Sequence, residues 1–172
     1  MEALKEHTIA FTGLREGLHT FHYRIGREFF DVLNEDELKG GDLRVTVDLD
    51  KGTHMLVTNI HIEGTVALHC DACNAPLDLP VAGDQRQIFR LHSEEETFDD
   101  EEIVGLSDSA HDINLSHYIY ECMSLAMPIR RVHPEGGCDP DVVFALDRSE
   151  TDNDAPVDPR WDALRSLKED KN

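Results

Sequence analysis

The sequence predicts a single α+β domain: an antiparallel β-sheet with a Cys-x-x-Cys-tipped hairpin, one packed helix and a short C-terminal helix. Three observations carry this. Leu43–Asp50 alternates apolar and polar without a break, which is the pattern of a half-buried strand. Met55–Cys70 keeps the same period and runs into Cys70-Asp71-Ala72-Cys73, with a second apolar run, Leu77–Val81, just beyond. Ile113–Met127 switches to a helical period. At 172 residues and 40% hydrophobic content the chain can bury one moderate core, whereas two independent domains would be cramped. The expected organisation is a domain over residues 1–146 with an acidic loop near 92–112, an acidic flexible linker over 147–157, and a C-terminal helical segment over 158–172.

Taken in order, Thr8–Phe11 and Leu18–Ile25 both alternate, and Gly13 and Gly17 lie between them. They read as two strands joined by a short glycine-bearing turn, with His19, Phe21, Tyr23 and Ile25 on one side. Phe29-Phe30 supplies a bulky core anchor, and residues 34–42 read as a polar, glycine-rich loop. In Met55–Cys70 the even positions Leu56, Ile60, Ile62, Val66, Leu68 and Cys70 share a face. Asn59, His61, Glu63 and His69 take the other, and Gly64 suggests a bulge. Pro76 and Pro80 demote the returning run to an edge strand, and Gly83-Asp84 separates it from Gln85–Leu91. In the helix, Leu115, Ile119, Cys122, Met123 and Ala126 form the apolar stripe, Asn114 can cap, and Pro128 ends it. Asp158-Pro159-Arg160-Trp161 has the grammar of a second helix start, an N-cap Asp followed by Pro.

Charge narrows the partners. Formal net charge is −20, with 36 acidic against 16 basic side chains. Most of it lies in two segments, 92–112 and 132–158. A protein that grips nucleic acid through many phosphates needs clustered Lys and Arg, and here the only basic pair is Arg130-Arg131. Acidic segments suit a basic protein partner, or serve solubility alone. The carboxylates of 94–102 lack the glycine pivot and spacing of a calcium loop and read as a mobile, solvated run. Met1–His7 has no apolar core of a signal peptide and no run approaches the ~20 residues that span a bilayer, so a cytoplasmic protein without membrane contact is expected.

In a reducing compartment, cysteines are metal ligands or buried thiols more often than disulfide partners. Cys70 and Cys73 fit a zinc knuckle, Cys138 is a natural third ligand and His133 a fourth, with unmetallated thiols as the alternative. Cys122, in the middle of the helix stripe, reads as a buried thiol rather than a ligand. A redox pair at Cys70 and Cys73 would need the first Cys at a helix N-terminus, and Asn74-Ala75-Pro76 does not continue into a helix. Gly-x-Ser-x-Gly, His-Glu-x-x-His and phosphate-cradling glycine loops are absent from the sequence, so neither an enzyme nor a small-molecule substrate is expected.

Several of these segments together resemble a known family. They are Ile9–Leu14, Phe21–Ile25, the Cys70-x-x-Cys73 turn, the helix running into Pro128–Pro134, Cys138-Asp139-Pro140 and Asp158–Leu164. The chain resembles the bacterial large ribosomal RNA subunit accumulation (YceD) family, in a form like its Bacteroidetes branch. Other branches carry a cysteine-rich patch after the helix, which here is reduced to Gly136-Gly137-Cys138 and leaves His133 or Cys122 to complete a metal site. The resemblance implies a factor in accumulation or processing of large-subunit ribosomal RNA, or in ribosome assembly. Its expected partners are a basic ribosomal or assembly protein, large-subunit rRNA precursor, or both, with candidate contacts at Arg130, Arg131, Asp158, Arg160 and Trp161. The alternative from another class is a metal-stabilised adaptor unrelated to ribosomes.

Overall fold

The computed structural model describes residues 5–33, 38–93 and 102–142. The segments 147–157 and 158–172 lie outside them. Contacts divide the chain into two units, Met1–His133 and Pro134–Asn172.

The first unit is a mixed α+β fold. Its described elements are β1 (Thr8–Ile9), a 3-10 turn (Phe11–Gly13), β2 (Gly17–Ile25), α1 (Arg27–Leu33), β3 (Gly40–Lys51), β4 (Met55–His69), β5 (Pro76–Arg90), β6 (Ile103–Gly105), β7 (Ile113–Asn114) and α2 (Ser116–Ala126). Five strands form one sheet in the order β2-β3-β4-β5-β6, antiparallel except for the β5–β6 pair, while β1 and β7 make a separate two-stranded piece. Alternation along β3 and β4 decides which face is core. Leu43, Val45, Val47, Leu49, Leu56, Ile60, Ile62 and Val66 are all at most 1% exposed. Burying each such side chain is worth roughly 1.5–3 kcal/mol. Helix α1 packs on β3, and α2 packs on β4 and β5. The opposite face stays in water and carries the matched pairs Arg24–Asp42 and Arg44–Glu63.

Several expectations change at this level. The first two alternating runs are not a hairpin. Thr8–Ile9 pairs with Ile113–Asn114, whereas β2 pairs with β3 from Gly17↔Lys51 to Ile25↔Leu43. The chain between them is taken up by the 3-10 turn, where Lys51 Nζ donates to the carbonyls of Phe11 and Leu14 at 2.8 and 2.7 Å. Phe29 and Phe30 do anchor the core, each 2% exposed, but from a helix. Gly40–Asp42 belongs to β3 rather than a loop. A Cβ on Gly41 would lie 2.7 Å from Thr65 O and 3.0 Å from the Phe30 ring, so its bare backbone lets strand and ring close up.

Gly64 is not a bulge, since it pairs in register with both Leu43 and Val81. Its φ of +152° and a Cβ position 2.2 Å from Asp42 O show a close backbone crossing that only glycine allows. β5 is one continuous strand through Gly83-Asp84, with β4 on one side and β6 on the other at Ile88–Arg90. Pro76 and Pro80 are accommodated because no described strand pairs with that half of β5 on its outer side. Within the acidic segment, Ile103–Gly105 joins the sheet beside Ile88–Arg90 and is not part of a solvated run, while residues 94–101 lie outside the description. The helix starts at Ser116, since Ile113–Asn114 is held as a strand by β1. Asn114 is therefore not the N-cap, although its Oδ1 accepts the Ser116 N–H at 3.0 Å. Met127 is extended ahead of Pro128, which ends α2 as expected.

In the second unit only 134–142 is described. Gly137 N–H donates to Pro134 O at 2.8 Å, and Asp139 Oδ1 accepts the Asp141 N–H at 2.9 Å where a short helical turn begins.

Candidate metal centre

Six residues, Cys70–Ala75, connect β4 to β5 across the pair His69↔Pro76. The even-face period of β4 carries Cys70 inward, where it is 2% exposed. Cys70 N–H donates to Ala75 O at 2.9 Å and Cys70 O accepts from Asn74 N–H at 2.8 Å. The tight turn between them puts Asn74 at φ +56°, a conformation Asn tolerates better than most side chains. Inside the turn, backbone amides of Cys73, His133 and Ala72 hydrogen-bond the Cys70 sulfur. Burial pushes the Cys70 thiol up, yet those donors and the Cys73 thiol outweigh it and bring it down to about 6.

His133 arrives from the far end of α2. After Pro128 the chain runs back to the turn and is pinned there by Asp71. Asp71 N–H donates to Arg131 O at 2.8 Å, and Arg131 N–H donates to Asp71 Oδ2 at 2.7 Å. Arg131 Nη2 adds a contact to Asp71 Oδ1 at 3.4 Å. The Arg131 amide, the largest influence, holds the Asp71 carboxyl below its usual range. Two residues later, His133 Nδ1 lies 3.4 Å from Cys73 Sγ, while Nε2 is 3.0 Å from Pro76 O. A carbonyl only accepts, so Nε2 carries the proton and Nδ1 is turned toward the sulfur. The Pro76 carbonyl and, after it, the neighbouring thiols raise the imidazole above its ordinary pKa.

The ligand atoms of Cys70, Cys73 and His133 lie within 4.8 Å of one another. These three make a group within the first unit that could hold a metal ion, and Cys138, five positions on from His133 in the sequence, belongs to the second unit. The chemistry of the group fits a metal: soft thiolates and an imidazole suit Zn²⁺, Nε2–H···O=C fixes the ring as outer partners of zinc-bound His do, and the amides favour the thiolate.

The remaining candidates separate. Cys122 is on α2, outside that group, and burial followed by Asp84 and Glu121 pushes it up to about 11. Arg131 is engaged with Asp71, and Arg130 is exposed beside it. Asp158, Arg160 and Trp161 lie outside the described residues. Sequence reasoning missed Asp71, the residue that docks the post-helix segment. Sixty positions separate it from Arg131, and no local period links them.

A family model, the large ribosomal RNA subunit accumulation protein YceD, matches residues 58–168. The chain belongs to that family. The matched region takes in the Cys70–Cys73 turn, α2 and the return to His133, together with Asp158–Trp161 of the sequence. The family's description ties it to large-subunit ribosomal RNA. No curated protein and no solved structure matches the chain at a significant level. Among the described residues no helix is long and apolar enough to cross a membrane.

Proposed function

We propose that this YceD-family chain is a non-enzymatic factor in large-subunit ribosomal RNA accumulation or processing, or in ribosome assembly. It works by contact with a basic ribosomal or assembly protein, with limited RNA contacts, in the cytoplasm. The family match over residues 58–168 carries the reading. The net charge of −20 supports a basic protein partner over extensive phosphate gripping.

In this reading Cys70, Cys73, His133 and Cys138 bind one Zn²⁺ at the tip of the β4–β5 hairpin. A zinc ion held by four protein ligands has no open position for substrate, and its contribution is to cross-link distant parts of the chain. The chain's own part is visible in the turn amides that favour thiolate and in the Pro76 carbonyl that orients His133. The low pKa of Cys70 also fits a redox thiol, but its sulfur is buried and the turn leads into a strand rather than a helix.

Affinity purification from growing cells, with elemental analysis of the purified chain, tests both parts. Recovery of large-subunit precursor or of ribosomal and assembly proteins, with zinc near one per chain, is expected. Zinc with partners only outside translation would favour a metal-stabilised adaptor instead, and recovery of no large-subunit component would overturn the reading.

A further inference from the structure

The face of the five-stranded sheet turned away from α1 and α2 has two unlike halves. Toward the Cys70–Cys73 turn its charges are matched within the chain: Arg24 binds Asp42, Arg44 binds Glu63, and His61 Nδ1 lies 2.7 Å from Asp84 Oδ1. Beside the β3–β4 turn they are not. There the cross-strand row Leu18-Asp50-Val57-Ile88 spans four strands, and Met55 stands on the same face one row beyond. Leu18 is 68% and Met55 48% exposed, with Val57 and Ile88 half-buried between them. The next row is Thr20-Asp48-Asn59-Arg86. Among the described residues the side chains of Asp50 and Arg86 make no hydrogen bond or ion pair, and Asp48 accepts only from Thr20 Oγ1, at 2.6 Å.

Exposed apolar side chains flanked by unmatched charge of both signs mark a contact surface. Here the signs are sorted, with carboxylates on β3, the guanidinium on β5, and β4 between them. A uniformly basic partner would meet Arg86, and a uniformly acidic one would meet Asp48 and Asp50. The complement is a surface with the reverse order, which this same face presents after a half-turn about the line of β4.

We propose that two copies of the chain pack through this half of the sheet face, as an isologous dimer. With the two-fold axis along β4, β3 of each copy lies over β5 of the other. Asp48 shares a row with Arg86, so each Asp48 faces the Arg86 of the second copy. Met55 and Val57 meet their own counterparts at the axis, and Leu18 lies over β6. Stacked sheets cross at about −30°, so the faces part along β4 and Glu63 keeps clear of its twin. Four strands about 4.8 Å apart make a contact at the small end of specific interfaces, which sets association in the micromolar range. The net charge of −20 opposes pairing at long range, but that repulsion is screened beyond ~8 Å at physiological ionic strength. The contact does not depend on the ribosomal RNA reading and stands if that reading fails.

Sedimentation equilibrium of the full chain at physiological ionic strength, from about 1 to 300 μM, tests the dimer. A monomer–dimer equilibrium is expected for the parent. Leu18→Arg, at a position too exposed to support the fold, should weaken dimerisation about tenfold or more with an unchanged circular dichroism spectrum. Asp48→Arg and Arg86→Asp should each weaken it about tenfold, since the two-fold axis makes every reversal count twice. Mixed in equal amounts, these two variants should dimerise with each other about as tightly as the parent, because each offers the charge the other lacks. A parent chain that stays monomeric at the highest concentration overturns the proposal. So does a mixture that associates no better than either variant alone. Parental dimerisation in Leu18→Arg would place the contact elsewhere on the molecule and overturns it as well.

Discussion

Cys70 and Cys122 are buried almost equally, at 2% and 3% exposed, and yet their thiols move in opposite directions, to about 6 and about 11. Burial raises both. Around Cys70 the amides of Cys73, His133 and Ala72 supply donors that only an anion exploits fully. Cys122 has the carboxylates of Asp84 and Glu121 as its charged neighbours, which oppose ionisation further. A cysteine of low surface exposure is therefore read from what faces its sulfur as well as from its burial. One is prepared to be a ligand and the other is core.

The largest test of that contrast is metal content with folding stability. Cys70→Ser is expected to abolish stoichiometric zinc and cost on the order of 4 kcal/mol in denaturant unfolding, as losses of structural metals do. Cys122→Ser should keep zinc near one per chain and cost about 1–3 kcal/mol for a buried hydroxyl. Equal zinc loss in the two variants would erase the distinction.

A second test uses pH on the chelator-treated protein. The Cys70 pKa is depressed on folding from 9.0 to about 6. Its stabilisation is thus full above pH 9 and lost as pH falls through 6. The Cys122 pKa is raised from 9.0 to about 11, so its stabilisation is full below 9 and lost as pH rises through 11. His133, raised from 6.5, opposes Cys70 on the acid side, because its stabilisation is lost as pH rises through its own folded pKa. Denaturation midpoints followed across this range should climb toward pH 9 and fall beyond it. Cys70→Ser should remove the climb and leave the fall, and a climb that survives the substitution would contradict the assignment.

The smallest effect concerns the turn that aims the amides at Cys70. Asn74→Val should cost about 1–2 kcal/mol, because a β-branched side chain resists φ +56°. Asn74→Gly should stay within about 0.5 kcal/mol and retain zinc. Matching stabilities for the two variants would show that the turn has no need of its left-handed residue.

Legibility in the sequence follows the range of the interaction. β3 and β4 could be read because alternation is local, and Leu43–Leu49 and Leu56–Leu68 declare their own face. Strand partners could not. Thr8 and Asn114 are joined across more than a hundred positions, with Asn114 Nδ2 donating to Thr8 Oγ1 at 2.9 Å. Gly64 was visible as an interruption, but whether it bulges or lets backbones cross depends on Asp42, which no period of β4 encodes. α1 was hidden because Arg27–Leu33 is too short to show a helical stripe around the adjacent Phe29 and Phe30. At the candidate site, residue type pointed to Cys70, Cys73, His133 and Cys138. What brings His133 back, the exchange between Asp71 and Arg131, has no signature short of the fold itself.

The docking of Arg131 on Asp71 also imposes an order of events on synthesis. The Cys70–Cys73 turn emerges with its hairpin, but its imidazole lies 60 residues downstream of Cys73. At roughly 5–20 residues per second, translation holds the two thiols without their histidine for about 3–12 s. On the zinc proposal, a metal that meets the thiols in that interval is held without its imidazole, and closure of the site waits until α2 has been made and has packed.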